Sequence, residues 1–361
     1  MRSKKIGLIC DTHYGIRSDN SIFYDYQKKS NDFFFRKFEE AGVDTVIHLG
    51  DLLDRRKFLN YVTESRLQED FLKPLSQRWD SHIICGNHDV YYRNTNKINS
   101  LDAVVDKTQH TVYTTPTEIE IAGTKILLLP WINTENYEDS IKIIKETTAE
   151  ICLGHLEIAG FEMLSGIKST HGLDYSHFKK FDLVGSGHFH HRSHYEPIHY
   201  LGAANSFNWG DAQEPRGVSI LDLETRSFSF IENPYNIFNT YIYNDEGKTQ
   251  EQMLSELSNI NYERYTDSYV KVVVDKKKYP YVFDKVVDSI YEAKPSDVKI
   301  LDNTILFEDE ETVDESTMVR NTTEYMLDYV ATLGLEKKVE TDVQSLMREL
   351  HTEATNLENV E

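Results

Sequence analysis

The chain has 361 residues, 39% of them hydrophobic and 12% aromatic, with only 8 prolines. That length and composition imply a large folded core and exclude a disordered or low-complexity chain. The formal net charge of −21 argues against nucleic-acid or membrane partners, yet residues 302–361 alone hold about 16 acidic and about 4 basic side chains, so most of the excess sits in the tail. No apolar run approaches the roughly 18 residues needed to span a bilayer. The opening MRSKKIGLIC is too short in its apolar part for a signal peptide. Cys10, Cys85 and Cys152 end apolar runs without zinc-type spacing, so they read as reduced, buried residues of a cytoplasmic protein.

In chain order, the first 235 or so residues give short β runs separated by turns and helices: KKIGLIC, DTVIHLG, SHIICG, EIEIAGTKILLLP, EICLGH, FDLVGSG, IHYLGA and GVSILDLETRSFSFI. SNDFFFRKFEEAG has helical apolar spacing at Phe34, Phe35 and Phe38 and stops at Gly42. TEIEIAGTKILLL is a hairpin pattern around Ala122 and Gly123. Near-continuous apolar strands alternating with helices predict a layered α/β fold with sheets covered on both faces. The segmentation expected is a main domain over 1–238, a small α+β module over 239–303, an acidic linker over 304–316 and helices over 317–361. The tail helices line up Met318, Tyr325, Met326 and Tyr329, then Val343, Leu346, Met347 and Leu350 after a Thr341-x-x-Gln344 capping pattern.

The chemistry concentrates at strand ends. Five β runs finish in metal-binding residue types: Asp11-Thr-His13, Gly50-Asp51, Gly86-Asn87-His88-Asp89, Gly154-His155 and Gly187-His188-Phe-His190. Side chains at the carboxyl ends of neighbouring strands converge on one rim. Carboxylate, carboxamide and imidazole donors suit Mn²⁺, Fe²⁺ or Zn²⁺. Seven donors are too many for one ion and enough for two that share a carboxylate. One DxH or HxH alone is weak evidence; the ordered series carries the reading. His48 reads as a core histidine, and His191 and His194 as bystanders beside His188 and His190, which share one face at a strand end.

These motifs, spanning residues 11–190, resemble the calcineurin-like metallophosphoesterase superfamily, and within it the SbcD-like DNA-repair nucleases, in particular their phage members. PWI (130–132), CLGHLEIAGF (152–161) and GDAQEPRG (210–217) are further points of likeness, which fade past about residue 240. The resemblance implies a metallophosphoesterase β-sandwich flanked by helices, with a small DNA-capping domain and C-terminal helices. It implies two divalent ions, Mn²⁺ with Mg²⁺ as the alternative. Asp11, His13 and His190 would hold one, Asn87, His155 and His188 the other, with Asp51 bridging. His88 would touch the scissile phosphate or protonate the leaving oxygen, with Asp89 orienting it.

The implied activity is 3′–5′ exonuclease action on duplex DNA and endonuclease action on single strands. The implied partners are DNA, an SMC-like ABC ATPase of the SbcC type bound by the C-terminal helices, and a second copy of the chain, with YVTESRLQEDFLKPL (61–75) a candidate face. Relatives often carry a histidine where this chain has Asp54. Arg55, Arg56, Lys57, Arg93 and Arg192, with Lys97 and Lys168, are candidate DNA contacts. The alternatives are a metal-dependent phosphatase or small-molecule phosphodiesterase, and a scaffold with a decayed site. Protein phosphatases read GDxVDRG where this chain reads GDLLDRR, and no ligand is missing.

Overall fold

The computed structural model describes residues 3–164 and 167–303, together with Val330, Lys337, Val339, Val343, Gln344, Leu346 and Met347. The first seven strands are β1 (Lys5–Ile9), β2 (Thr45–His48), β3 (Asp80–Ile84), β4 (Thr111–Tyr113), β5 (Thr117–Ile121), β6 (Thr124–Leu129) and β7 (Ile151–Gly154). A short pair follows, β8 (Glu162–Leu164) and β9 (Ile167–Lys168), and then β10 (Leu183–Ser186), β11 (Ser193–Tyr195), β12 (Ile198–Tyr200), β13 (Gly217–Asp222) and β14 (Ser227–Glu232). They build two six-stranded sheets, ordered β14-β13-β1-β2-β3-β4 and β11-β12-β10-β7-β6-β5. In the first, β1, β2, β3 and β4 run parallel; in the second, β6, β7, β10 and β12 do.

Three layers of core explain why the strands read as unbroken apolar runs. Ile6, Leu8, Ile47, Leu49 and Ile84 of the first sheet share a cluster with Ile126, Leu128, Ile151, Leu153 and Leu183 of the second. The alternate side chains Ile9, Val46 and Ile83 pack with Phe34, Phe35, Phe38, Leu67, Phe71 and Leu75 from helices. Leu127, Leu129, Cys152 and Val184 pack with Ile141, Ile144, Phe178 and Phe181 on the far side. Both faces of each sheet are therefore covered. Full burial of each large aliphatic or aromatic side chain stabilises by about 1.5–3 kcal/mol, so the layers supply the main driving force. Cys10, Cys85 and Cys152 are buried and free.

The expected helix over 30–42 is the second half of a longer one, Ser21–Ala41. It is capped by the Asn20 side chain and ended by Gly42 in the left-handed conformation at φ 70°. The hairpin turns where expected, with Ala122 and Gly123 both at positive φ. The segment over 61–75 is helical throughout, as Tyr61–Leu67, a wider π turn over Gln68–Leu72 and Lys73–Ser76. Its Leu67, Phe71, Leu72 and Leu75 are core, while Tyr61, Val62, Ser65, Glu69 and Lys73 are exposed.

Further along lie β15 (Phe238–Asn244), β16 (Tyr269–Lys276) and β17 (Asp297–Asp302), a third sheet in that order. The helix Pro280–Glu292 matches the pattern read from FDKVVDSIYEA. A second helix, Gln250–Leu257, was not anticipated, although Thr249 and Gln252 form a capping box there. Two compact units divide the chain. One comprises residues 1–240 with 261–271 and 288–299, and the other 241–260, 272–287 and the residues from 300. Two segments of the expected small module thus fall in the first unit. Of the expected tail face, Val343, Leu346 and Met347 are described and helical, with Leu346 exposed. Met318, Tyr325, Met326, Tyr329, Leu350 and the linker over 304–316 lie outside the described residues. No helix among the described residues is long and apolar enough to cross a membrane.

Candidate metal centre

Parallel pairing brings the five motifs together. Ile9 pairs with His48 and His48 with Ile83, so the loops carrying Asp11, Asp51 and Asn87 leave the first sheet side by side. Ser186 pairs with Gly154 in the second sheet, which sets the His188 loop beside His155. Backbone bonds stitch the loops: Asp11 N donates to Gly50 O at 3.2 Å, His13 N to Asp51 O at 3.1 Å and Gly187 N to Gly154 O at 3.0 Å. Asp11, His13, Asp51 and His188 all have positive φ, a conformation costly for residues other than glycine and concentrated at functional sites.

The donor atoms form three trios, each with its atoms within 4.8 Å of one another: Asp11, His13 and His190; His13, Asp51 and His88; and Asp51, His155 and His188. His13 Nε2 lies 3.1 Å from His190 Nε2 and 3.8 Å from Asp51 Oδ2. His155 Nε2 lies 3.3 Å from Asp51 Oδ2, while its Nδ1 is 2.8 Å from Leu49 O. That carbonyl accepts a hydrogen bond from Nδ1–H and leaves Nε2 with a lone pair facing inward. Asn87 Oδ1 sits 2.8 Å from both His155 Nε2 and His188 Nδ1. As placed, this oxygen faces only acceptors, and turning the amide would direct its nitrogen at both rings and at Asp51 Oδ2. Lone pairs converging on one point repel one another unless a cation lies among them. Asp11, Asp51, His13 and His155 are almost wholly buried. The donor set therefore fits divalent metal.

The electrostatics agree. Burial, reinforced by Asp51, raises the Asp11 carboxyl to about 7 against the pull of His155. Asp51 is held well below the usual carboxylate range because His155, His88 and His13 outweigh its burial. His13 and His155 rise to about 9 despite burial, the first through Asp54 and Asp51, the second through Asp51 and Asp11. His188 falls to about 3 through burial and His155, and His190 is lowered well below its ordinary value by burial, His13 and Arg216. Without a cation, two buried carboxylates are balanced by borrowed protons; a metal replaces them.

Two expectations require correction. Asp89 does not orient His88. Its Oδ2 accepts from Asp51 N at 2.9 Å and Gly86 N at 2.8 Å, and its Oδ1 from Leu52 N at 3.0 Å and Leu53 N at 3.2 Å. The side chain clamps two loops, while His88 Nδ1 lies 2.6 Å from the Asp54 carbonyl. His88, expected outside the ligand set, also comes within ligand range of His13 and Asp51. The second correction concerns His188 and His190, which share no strand face. β10 ends at Ser186, and the φ of 82° at His188 breaks the period-two pattern. His191 instead lies 3.2 Å from Glu162 and 2.7 Å from Glu214, His194 is in β11, and His48 is fully buried, 3.0 Å from Thr12 Oγ1.

Asp54 places Oδ1 3.4 Å from His13 Nδ1 and so turns the other ring nitrogen inward. The basic candidates divide. Arg56 is half-buried, with a pKa lowered by burial and by Arg93; with Asn87 turned, its Nη2 is 3.3 Å from that amide oxygen. Arg55 is ion-paired to Asp19, Lys97 to Glu135, and Arg192 stacks 3.6 Å over the Phe230 ring. Those three are structurally occupied. Lys57, Arg93 and Lys168 are exposed.

Several site residues had no strong signal in the sequence. Phe207 packs on His13 and His190 at 5.4 and 5.6 Å between ring centroids, and Trp131 on His188 at 5.2 Å. Buried Arg216 donates to the His190 carbonyl and, at 2.9 Å, to Asp211, which fixes the histidine loop. The opposite charges in GDAQEPRG were the available cue. Gly86 is irreplaceable on space alone, since a Cβ there would lie 2.2 Å from Asp51 Oδ1 and 2.3 Å from Asp51 N.

Residues 4–192 match the calcineurin-like phosphoesterase family. The chain belongs to that family. This phosphoesterase is 30% identical over 333 residues to "Exonuclease subunit 1" of Enterobacteria phage T4, covering 89% of this chain and 92% of the relative. Among solved structures, a glutamine-dependent NAD⁺ synthetase from Acinetobacter baumannii aligns over 99% of this chain and 73% of its own. Its TM-score of 0.28 and identity of 9% bear on neither the phosphoesterase's fold nor its site.

Proposed function

We propose that this phosphoesterase is a two-metal DNA nuclease: a 3′–5′ exonuclease on duplex DNA and an endonuclease on single strands. In this reading it is the nuclease subunit of an ATPase–nuclease complex in recombination and repair. The observation that carries the reading is the convergence of buried carboxylate, carboxamide and imidazole donors from two sheets around Asp51. The likeness to a phage exonuclease subunit over 89% of the chain supports DNA as the substrate.

Asp11, His13 and His190 would hold one ion and Asn87, His155 and His188 the other, with Asp51 between them. Bound Mn²⁺, or Mg²⁺, would neutralise the phosphate and acidify an attacking water. Burial lowers the pKa of His88, so the free ring is neutral, and its Nδ1, held by the Asp54 carbonyl, leaves Nε2 as the reactive nitrogen. An arriving phosphodiester anion opposes that shift and favours a proton on Nε2, ready for the leaving oxygen. Arg56, with Arg93 near it, is the favoured phosphate contact. The C-terminal helices would dock the ATPase, and the chain would act as a homodimer in the host cytoplasm.

The test compares Mn²⁺-dependent release of nucleotides from labelled duplex DNA with turnover of an aryl phosphate monoester. DNA cleavage lost in His88→Ala is the expected result. Rapid monoester turnover with intact DNA would mean a phosphatase of the same family.

A further inference from the structure

A cavity of about 290 Å³ opens beside the metal centre, with Trp131, Ile132, Tyr137 and Leu173 as its apolar walls and Glu157 as its acidic one. Trp131 is the wall shared with the centre, its ring centroid 5.2 Å from that of His188 and 6.1 Å from that of His155. That wall is rigid: Trp131 N donates to Cys85 O at 2.8 Å, and Trp131 O accepts from Asn96 Nδ2 at 2.8 Å and Asn136 Nδ2 at 3.0 Å. The opposite wall is fixed by Leu173 N donating to Glu157 O at 2.8 Å and Ala159 N to Leu173 O at 3.1 Å. Gly172, at φ 111°, permits this approach; a Cβ there would sit 2.4 Å from Glu157 O. The Glu157 carboxylate makes no hydrogen bond or ion pair among the described residues, although burial raises its pKa and His171 acts on its charge from nearby.

An apolar cleft with a fixed indole and one uncommitted carboxylate, next to a phosphate-handling site, is suited to a flat aromatic ligand with an N–H edge. Resting on the nuclease reading, we infer that this cavity takes the unpaired nucleobase of the nucleotide whose phosphate lies at the metal centre. The base stacks on Trp131, and Glu157 accepts from its exocyclic amino group. Cytosine, adenine and guanine present such a group. Thymine presents an oxygen at the corresponding position and meets the carboxylate with like polarity.

The test titrates the full-length protein in Mg²⁺ buffer with dCMP, dTMP and base-free deoxyribose 5-phosphate, following tryptophan fluorescence. Saturable quenching by dCMP at a concentration at least about fivefold lower than for dTMP is expected, with no response to the base-free sugar phosphate. Trp131→Phe removes the signal, because Trp79 and Trp209 lie elsewhere, and Glu157→Gln brings the two nucleotides to near-equal affinity in calorimetry. An equal response to deoxyribose 5-phosphate, or quenching that survives in Trp131→Phe, overturns the assignment. An unchanged dCMP preference in Glu157→Gln removes its acidic edge. Base-dependent quenching in a protein that cleaves no DNA would retain the cavity and sink the nuclease reading; DNA cleavage without base-dependent quenching would do the reverse.

Discussion

Replacing Asp89 with asparagine separates a structural clamp from a role in orienting His88. The carboxylate takes four backbone N–H groups, two on each oxygen, from the Asp51 loop and from Gly86. Asparagine keeps one oxygen and sets an NH₂ group against the other two donors. Two hydrogen bonds are lost and two buried donors left unpaired, at about 1–3 kcal/mol each, so Asp89→Asn should cost about 2–6 kcal/mol. That is a large share of the roughly 5–15 kcal/mol that holds a domain together. Urea unfolding of the metal-free and Mn²⁺-loaded protein reads the loss, and Mn²⁺ affinity should fall with it, because Asp51 is the residue released. A variant within about 1 kcal/mol of wild type that has lost only kcat would refute the clamp and restore the orienting role.

Gly86→Ala should weaken Mn²⁺ binding as severely as loss of Asp51 itself, since the new methyl group occupies the space of the Asp51 carboxylate; calorimetric Mn²⁺ binding equal to wild type would contradict this. Arg216→Met should destabilise by about 3–5 kcal/mol, because it strands the buried Asp211 carboxylate; denaturant melts check it. In the metal-free protein, His13 and His155 have folded pKa values of about 9, above the ordinary 6.5. Their contribution is complete below pH 6.5 and is lost as pH rises through 9. The metal-free Tm should therefore fall across pH 6.5–9 while Mn²⁺ affinity rises over the same window, as ion and proton compete. A pH-independent affinity would count against it.

Much of this molecule is legible in the sequence because two-sided burial writes strands as apolar runs and parallel pairing turns their ends into one rim. Asp11, Asp51, Asn87 and His155 could thus be placed by their strand ends alone. What was hidden depends on contacts between distant segments. Nothing local to GNHD shows that Asp89 faces the amides of residues 51–53, because that choice is made by β2 lying beside β3. Nothing in GSGHFHHRSH shows that His188 bends at positive φ, because Asp11 fixes it by accepting its N–H at 3.0 Å. Phe207 reads as an ordinary apolar residue, and Trp131 only as part of the PWI likeness, until the sheets bring them against histidines. Helix 250–257 was missed although its capping box was visible, since its apolar content is sparse.

The central claim is that this site works as a pair of metal ions held around Asp51. Adding Mn²⁺ stepwise to the metal-free protein, while counting bound ions and measuring cleavage of labelled duplex DNA, tests it most directly. Two ions per chain, with cleavage appearing alongside the second and abolished with a loss of stoichiometry in Asp51→Asn, is the predicted result. Full cleavage with one ion per chain, or with none, would contradict it.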